Sequence, residues 1–151
     1  MKWLKTTFGV TCLVLALFSI SSWALRNPAV GWQTYSEELI LEAKKSDKPV
    51  IINFHANWCL PCIKLDRKTF NHPGFIRAAK DFSLIQVDLT ERSDPMHEAL
   101  IGKYKINGVP TIIFLDKRGA ERRDLRVEEY LNHQDFQYRM EKLIKVKTKQ
   151  L

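Results

Sequence analysis

Two cysteines separated by two residues follow directly after a short apolar run, and this combination constrains the fold more than any other feature of the sequence. The run Val50–Phe54 is rich in β-branched residues and is polar only at Asn53, which is typical of a central strand covered on both faces. The motif that follows is Trp58-Cys59-Leu60-Pro61-Cys62. Because proline is tolerated in the first turn of a helix, the sequence predicts that Cys59 begins a helix and that Cys62 lies one turn further in.

The remaining elements alternate between helix and strand. A capping-box pattern from Thr34 to Glu37 predicts a first helix that ends near Lys45. The helix after the cysteines is predicted to break at 71–74 and to resume over 75–80. Next come a predicted strand at 83–89 and a helix from Asp94-Pro95. A strand at 112–115 follows, with a hairpin partner through about Val127. The last predicted helix starts at Asn132 or Gln134, and its apolar stripe consists of Phe136, Met140, Leu143 and Ile144.

The first 24 residues differ in kind from the rest. Lys2 and Lys5 precede an almost wholly apolar stretch, and Ser22-Trp23-Ala24 offers small residues where a signal peptidase cuts. We therefore predict a secretory signal over 1–24, a single domain over 25–151, and a periplasmic location. The alternative is an uncleaved inner-membrane anchor, since residues 6–25 are uncharged and about long enough to span a bilayer.

Charge and cysteine usage narrow the function classes. Loss of the two leader lysines lowers the net charge from +7 to +5. The basic tail over 142–149 is interpreted as a solvated helix end, so nucleic acid is not predicted as a partner.

Cys12 lies in the leader, so the exported chain keeps only Cys59 and Cys62. A disulfide that closes so small a loop adds little stability, so the pair is not explained as a structural staple.

Disulfide exchange requires a thiolate, and a cysteine at a helix N-terminus has its anion stabilised by unpaired N–H groups. We predict that Cys59 attacks a substrate disulfide and that Cys62, deeper and away from solvent, resolves the mixed disulfide. Metal binding is the second interpretation, with His55, Cys59 and Cys62 as three ligands and His72 or His97 as a fourth by default. An inactive interaction domain is the third.

A second motif precedes the strand at 112–115, and it reads Gly108-Val109-Pro110-Thr111. Together the two motifs resemble the thioredoxin family over about 36–143. The resemblance implies a three-layer α/β/α fold with a central mixed sheet of about four to five strands, and a redox-active disulfide with no cofactor and no metal. It also implies a cis Pro110 whose loop faces the cysteines and pairs with substrate, which makes Trp58, Pro61, Val109, Pro110 and Thr111 supporting or substrate-binding residues.

Within that family, the sequence resembles the C-terminal periplasmic domains of DsbD-type thiol:disulfide interchange proteins. The likeness rests on Ala56–Cys59, Lys64 after Cys62, Lys68–Phe70, Asp88–Thr90 and residues 106–114. It implies a monomeric protein-disulfide oxidoreductase that receives electrons from a membrane protein. Pro61 and Thr111 resemble the reducing branch; a disulfide-forming oxidase and a copper-binding chaperone are the alternatives.

One departure from the family pattern concerns proton transfer. The buried acid that the family carries before the motif is Asn53 here, and His55 replaces its first motif tryptophan. An amide cannot take up a proton, whereas an imidazole can. The candidate proton-relay residues are Asn53, which could act only by holding water in the place of the acid, and His55, which could take up the proton itself.

Overall fold

The apolar run before the cysteines forms the central strand of a mixed sheet. In the computed structural model, which describes residues 30–91 and 94–145, strand β2 (Val50–His55) pairs in parallel with β3 (Ser83–Asp88) and antiparallel with β4 (Thr111–Leu115). A two-residue strand, β1 (Gln33–Thr34), pairs in parallel with the other side of β3. The described residues thus form a four-stranded sheet in the order β1-β3-β2-β4, which confirms the predicted central strand.

Five α-helices accompany the sheet in the described part of the chain. They are α1 (Glu37–Lys45), α2 (Leu60–Leu65), α3 (Pro73–Ala78), α4 (Pro95–Tyr104) and α5 (His133–Lys145). Helix α2 runs on into a π-helical segment, Asp66–Phe70, and α3 ends in a 3-10 turn, Ala79–Asp81. Among these residues no helix combines the length and the apolar character needed to cross a membrane.

The strands bury alternate side chains on opposite faces, and each face carries its own core. On one face, Ile52 and Phe54 of β2 pack with residues of α1 and α4. On the other face, Ile51 packs with residues of α2, α3 and α5. This arrangement is the three-layer α/β/α fold that the sequence predicts.

An aromatic cluster fixes the second layer beneath the cysteine-bearing helix. Phe136 of α5 is fully buried, and its ring centroid lies 5.4 Å from those of Phe70 and Phe75 and 5.5 Å from that of Phe114. These contacts join the π-helical segment, α3, α5 and β4. Ile144, predicted for the same apolar stripe, is instead exposed, whereas Met140 and Leu143 are buried as predicted.

Two helix starts differ from the prediction. Ser36, not Thr34, caps α1 by accepting a hydrogen bond from the Leu39 N–H, because Thr34 is already paired in β1. Helix α3 begins at Pro73 rather than near residue 75, since proline suits the first turn and the His72 side chain accepts the Gly74 N–H. The predicted end of α1 and the start of α4 after Asp94 are confirmed.

The predicted hairpin partner of β4 is confirmed in part. The chain through Val127 returns antiparallel to β4, but among the described residues it pairs through two isolated bridges, Ile112 with Val127 and Leu115 with Glu121, and forms no continuous strand. Between them a 3-10 turn spans Arg123–Leu125. The charged run pairs locally instead of alternating with apolar residues, as in the 2.8 Å contact between the Arg122 guanidinium and the Asp124 carboxylate.

The predicted leader, the anchor alternative and Cys12 lie outside the described residues, as does the end of the basic tail.

Candidate active site

The two cysteines lie where β2 gives way to α2. Cys59 is the N-cap of α2 in extended backbone conformation, and its Sγ accepts a hydrogen bond from the Cys62 N–H at 3.2 Å. Pro61 occupies the first turn, as predicted. The sulfurs form a disulfide, with the two Cα atoms 5.2 Å apart. The Cys59 sulfur therefore occupies the place that a serine or aspartate oxygen usually takes at a helix start, where an anion is stabilised.

The predicted difference in exposure between the two cysteines is wrong. Cys59 is 4% exposed and Cys62 is 7% exposed, because the bonded sulfurs cover each other and pack against Ala56 and Val109. Their surroundings differ instead. The neighbours of Cys59 in the sequence, Trp58 and Leu60, are 57% and 76% exposed, whereas Cys62 lines a cavity that is partly open to solvent.

A loop with a cis peptide bond faces the disulfide. The bond between Val109 and Pro110 is cis, as the family resemblance implies, and the Val109 side chain packs on the cysteine cluster. Thr111 is buried, and its hydroxyl donates to the Gly108 carbonyl at 2.7 Å. Thr111 thus holds the loop in shape, and its side chain is not available for direct contact with a partner.

A second set of hydrogen bonds holds the backbone just before the motif. The Asn57 N–H donates to the Thr90 hydroxyl at 3.0 Å, and that hydroxyl donates to the Asp88 carboxylate, which also accepts the Thr90 N–H. Partial burial opposes ionisation of Asp88, but these hydrogen bonds and the nearby His55 and His97 outweigh it and hold the pKa of Asp88 below its usual range. The turn after β3 therefore anchors the approach to the cysteines.

A cavity of about 210 Å³ lies behind Cys62. Asn53 and His55 project into it from β2, and Gln86 lies opposite Asn53 in the register with β3. Trp32, Asp66 and Gln86 also line this cavity, and sequence reasoning missed all three. For Gln86 the available signal was the spacing of polar residues two apart near the ends of β2 and β3, which places them on one face. No local signal indicates Trp32 or Asp66.

The histidines proposed as a fourth metal ligand lie elsewhere. His72 caps α3 and stacks on His133 with ring centroids 3.4 Å apart, and His97 Nδ1 lies 3.1 Å from the Glu91 carbonyl oxygen. Within residues 30–91 and 94–145, no three His, Cys, Asp or Glu side chains are grouped as metal ligands. The structure therefore does not bring together the ligand set that a zinc site needs.

A mixed sheet between helical layers, with a Cys-x-x-Cys disulfide at a helix start opposite a cis-proline loop, defines a thioredoxin-like protein. The model of the thioredoxin-like family matches residues 31–117, and the chain belongs to that family.

The chain also resembles the thiol:disulfide interchange protein DsbD. It is 33% identical to DsbD of Pectobacterium atrosepticum over 98 residues, which are 65% of this chain and 17% of that protein. It is 30% identical to DsbD of Klebsiella pneumoniae over 141 residues, covering 84% of this chain and 23% of that protein. The oxidised C-terminal domain of Neisseria meningitidis DsbD has the same fold, with a TM-score of 0.61 at 24% identity over 74% of this chain and 98% of the domain.

Proposed function

We propose that this chain is an exported protein-disulfide oxidoreductase that reduces disulfides of partner proteins and needs no cofactor beyond its own cysteine pair. One observation carries the proposal: the Cys59 sulfur accepts the first-turn N–H of Cys62 at a helix start. In the reduced protein the same N–H would stabilise a thiolate, and the thiolate is the attacking species in disulfide exchange.

The proposed reaction has two exchanges. The Cys59 thiolate attacks one sulfur of a substrate disulfide, so that a Cys59–substrate bond forms and the other substrate sulfur leaves as a thiolate. The Cys62 thiol then loses its proton and attacks Cys59 Sγ, and the second substrate sulfur leaves. The substrate gains two electrons and the protein ends with the Cys59–Cys62 disulfide, whose two residues are already 5.2 Å apart at Cα.

The surface beside the disulfide supports a protein substrate. Trp58 and Leu60 are large apolar side chains that remain mostly exposed next to Cys59, and exposed apolar groups of this kind mark contact surfaces for other proteins. The Val109-Pro110 loop also borders the disulfide, against which Val109 packs. We propose that Trp58 and the loop together hold an extended segment of the substrate.

The direction, the location and the electron donor are further parts of the proposal. The likeness to DsbD, which is an interchange protein by name, supports a periplasmic protein with a leader over 1–24 and one domain over 25–151. It also supports a membrane protein as the source of electrons that returns the disulfide to the dithiol. Pro61 between the cysteines supports the reducing direction.

Trapping of substrates tests the reaction. In a Cys62→Ser variant the second exchange is lost, so disulfide-linked adducts should accumulate on Cys59, and the matched Cys59→Ser variant should form none. Insulin reduction should fail in both variants. Equal trapping by the two variants would refute the assignment of Cys59 as the attacking residue.

The reduction potential tests the direction. A potential near that of thioredoxin, about −270 mV, is expected for a reductant. A value near about −120 mV is that of a strong oxidant, and it would assign the chain to disulfide formation instead.

A further inference from the structure

His55 is the histidine closest in position to the chemistry, and its side chain has an unusual environment. It ends β2 on the same face as Asn53, toward α2, and lines the cavity that Cys62 also lines. Its Nε2 atom is buried and has no hydrogen-bond partner among the described residues. A neutral imidazole nitrogen that makes no hydrogen bond to protein is free to accept a proton.

We propose that His55 takes the proton from the Cys62 thiol when Cys62 resolves the mixed disulfide. This inference rests on the proposed function and adds the acid–base group that the reaction needs. The S–H bond of Cys62 breaks, its proton goes to His55 Nε2, and the Cys62 thiolate attacks Cys59 Sγ. The departing substrate sulfur takes both electrons of the broken disulfide bond, and the imidazolium later returns its proton to solvent or to that sulfur.

The other groups around the cavity are less suited to this role. Asn53 and Gln86 are amides, which do not take up protons. Asp66 is the other ionisable group besides Cys62 and His55 among the lining residues, and it is exposed, so water solvates its carboxylate. His55 Nε2 can accept a proton and is itself buried. It is therefore the best candidate for the base among the residues that line the cavity.

The charged groups near His55 come from three different elements. Asp88 lies directly opposite His55 in the register of β2 and β3, and the two interact electrostatically, since His55 contributes to the lowered pKa of Asp88. His97 of α4 also acts on Asp88, and Asp66 faces the cavity from the π-helical segment. The acidic groups on this side of the site are therefore Asp88 and Asp66, and both are exposed to water.

A two-step assay separates this inference from the proposed function. Reduced protein is mixed with less than one equivalent of DTNB, an aromatic disulfide whose released thiolate is coloured. The first coloured thiolate reports attack by Cys59, and the second reports resolution by Cys62. A His55→Gln variant should keep the first rate within about twofold of the native protein. Its second rate at pH 7 should fall about 100-fold, the low end of what general acid–base catalysis contributes.

The pH profile distinguishes proton transfer from a structural effect. At a pH high enough to ionise the Cys62 thiol without a base, His55 is no longer needed, so the two second-phase rates should converge there. A His97→Gln variant is the matched control, because His97 also acts on Asp88 but does not line this cavity. It should keep both rates. If the glutamine variant does not fold, a His55→Asn variant replaces it.

Three results would overturn the inference while leaving the proposed function intact. They are an unchanged second rate in the His55 variant, a slowing that persists equally at high pH, and a larger loss in an Asp66→Asn variant than in the His55 variant. Failure of the first phase in the native protein would instead refute the proposed function itself.

Discussion

Thr111 offers a direct test of how the fold supports the site. Its side chain is 1% exposed, and its hydroxyl donates to the Gly108 carbonyl at 2.7 Å, across the turn that carries Val109 and Pro110. Thr111→Val keeps the shape of the side chain and removes the donor. Such a hydrogen bond contributes about 0.5–1.5 kcal/mol net, and the exposed Gly108 leaves its carbonyl open to water. We therefore expect a loss of about 1 kcal/mol in the free energy of unfolding.

Urea unfolding of the oxidised protein measures this loss. It should lower the midpoint urea concentration, and in thermal unfolding the same loss of about 1 kcal/mol should lower the melting temperature by about 3–6 °C for a domain of roughly 100–150 residues. The Thr111→Ser variant keeps the hydroxyl, so it should retain most of this hydrogen bond. Because the loop is proposed to hold the substrate, Thr111→Val should also slow insulin reduction more than it slows the reaction with DTNB. An unchanged midpoint with valine would refute the role of the hydrogen bond.

Two further predictions concern packing and pH. Phe136→Ala should lower the free energy of unfolding, measured by urea denaturation, by about 3–5 kcal/mol. The reason is that the ring is fully buried among Phe70, Phe75 and Phe114. A loss below about 1 kcal/mol would contradict this packing. Folding lowers the pKa of Asp88, so its ionised carboxylate stabilises the folded protein. This stabilisation is fully present above the unfolded-state pKa of about 3.9, and it is lost as the pH falls through the folded-state pKa. Asp88→Asn should weaken the acid dependence of the melting temperature between about pH 5 and 2, and an unchanged dependence would contradict it.

The sequence predicts the parts of the fold that depend on local chemistry. The run Val50–Phe54 is apolar on both faces of the strand, so its central position follows from its composition. The helix start at Cys59 follows from the motif, since Pro61 is suited to the first turn. The cis bond before Pro110 came from the family resemblance rather than from the residues themselves.

Two parts of the fold differ from the prediction for different reasons. Gln33–Thr34 is a strand because the distant β3 offers it an edge, and nothing in its two residues indicates this. The segment before Val127 is mostly charged, and its side chains pair with close neighbours and close a turn. The first difference is a tertiary effect, whereas the second follows from residues that suit a strand poorly.

The same reasoning applies to the site. The motif places the cysteines next to each other, but their nearly equal burial depends on the packing of Ala56 and Val109 against both of them. The cavity behind Cys62 includes Trp32 and Gln86, which are brought there by strand register and by the segment leading into β1. Register over such distances cannot be obtained from one sequence.

The central claim is that the start of α2 stabilises a Cys59 thiolate. The most direct measurement is the pH titration of thiolate absorbance at about 240 nm in the reduced Cys62→Ser variant, where Cys59 is the remaining cysteine of the pair. We expect a Cys59 pKa between about 3.5 and 7.5, the range for cysteines at helix starts and in Cys-x-x-Cys motifs. A pKa at or above the free-cysteine value of about 8.5 would contradict the account.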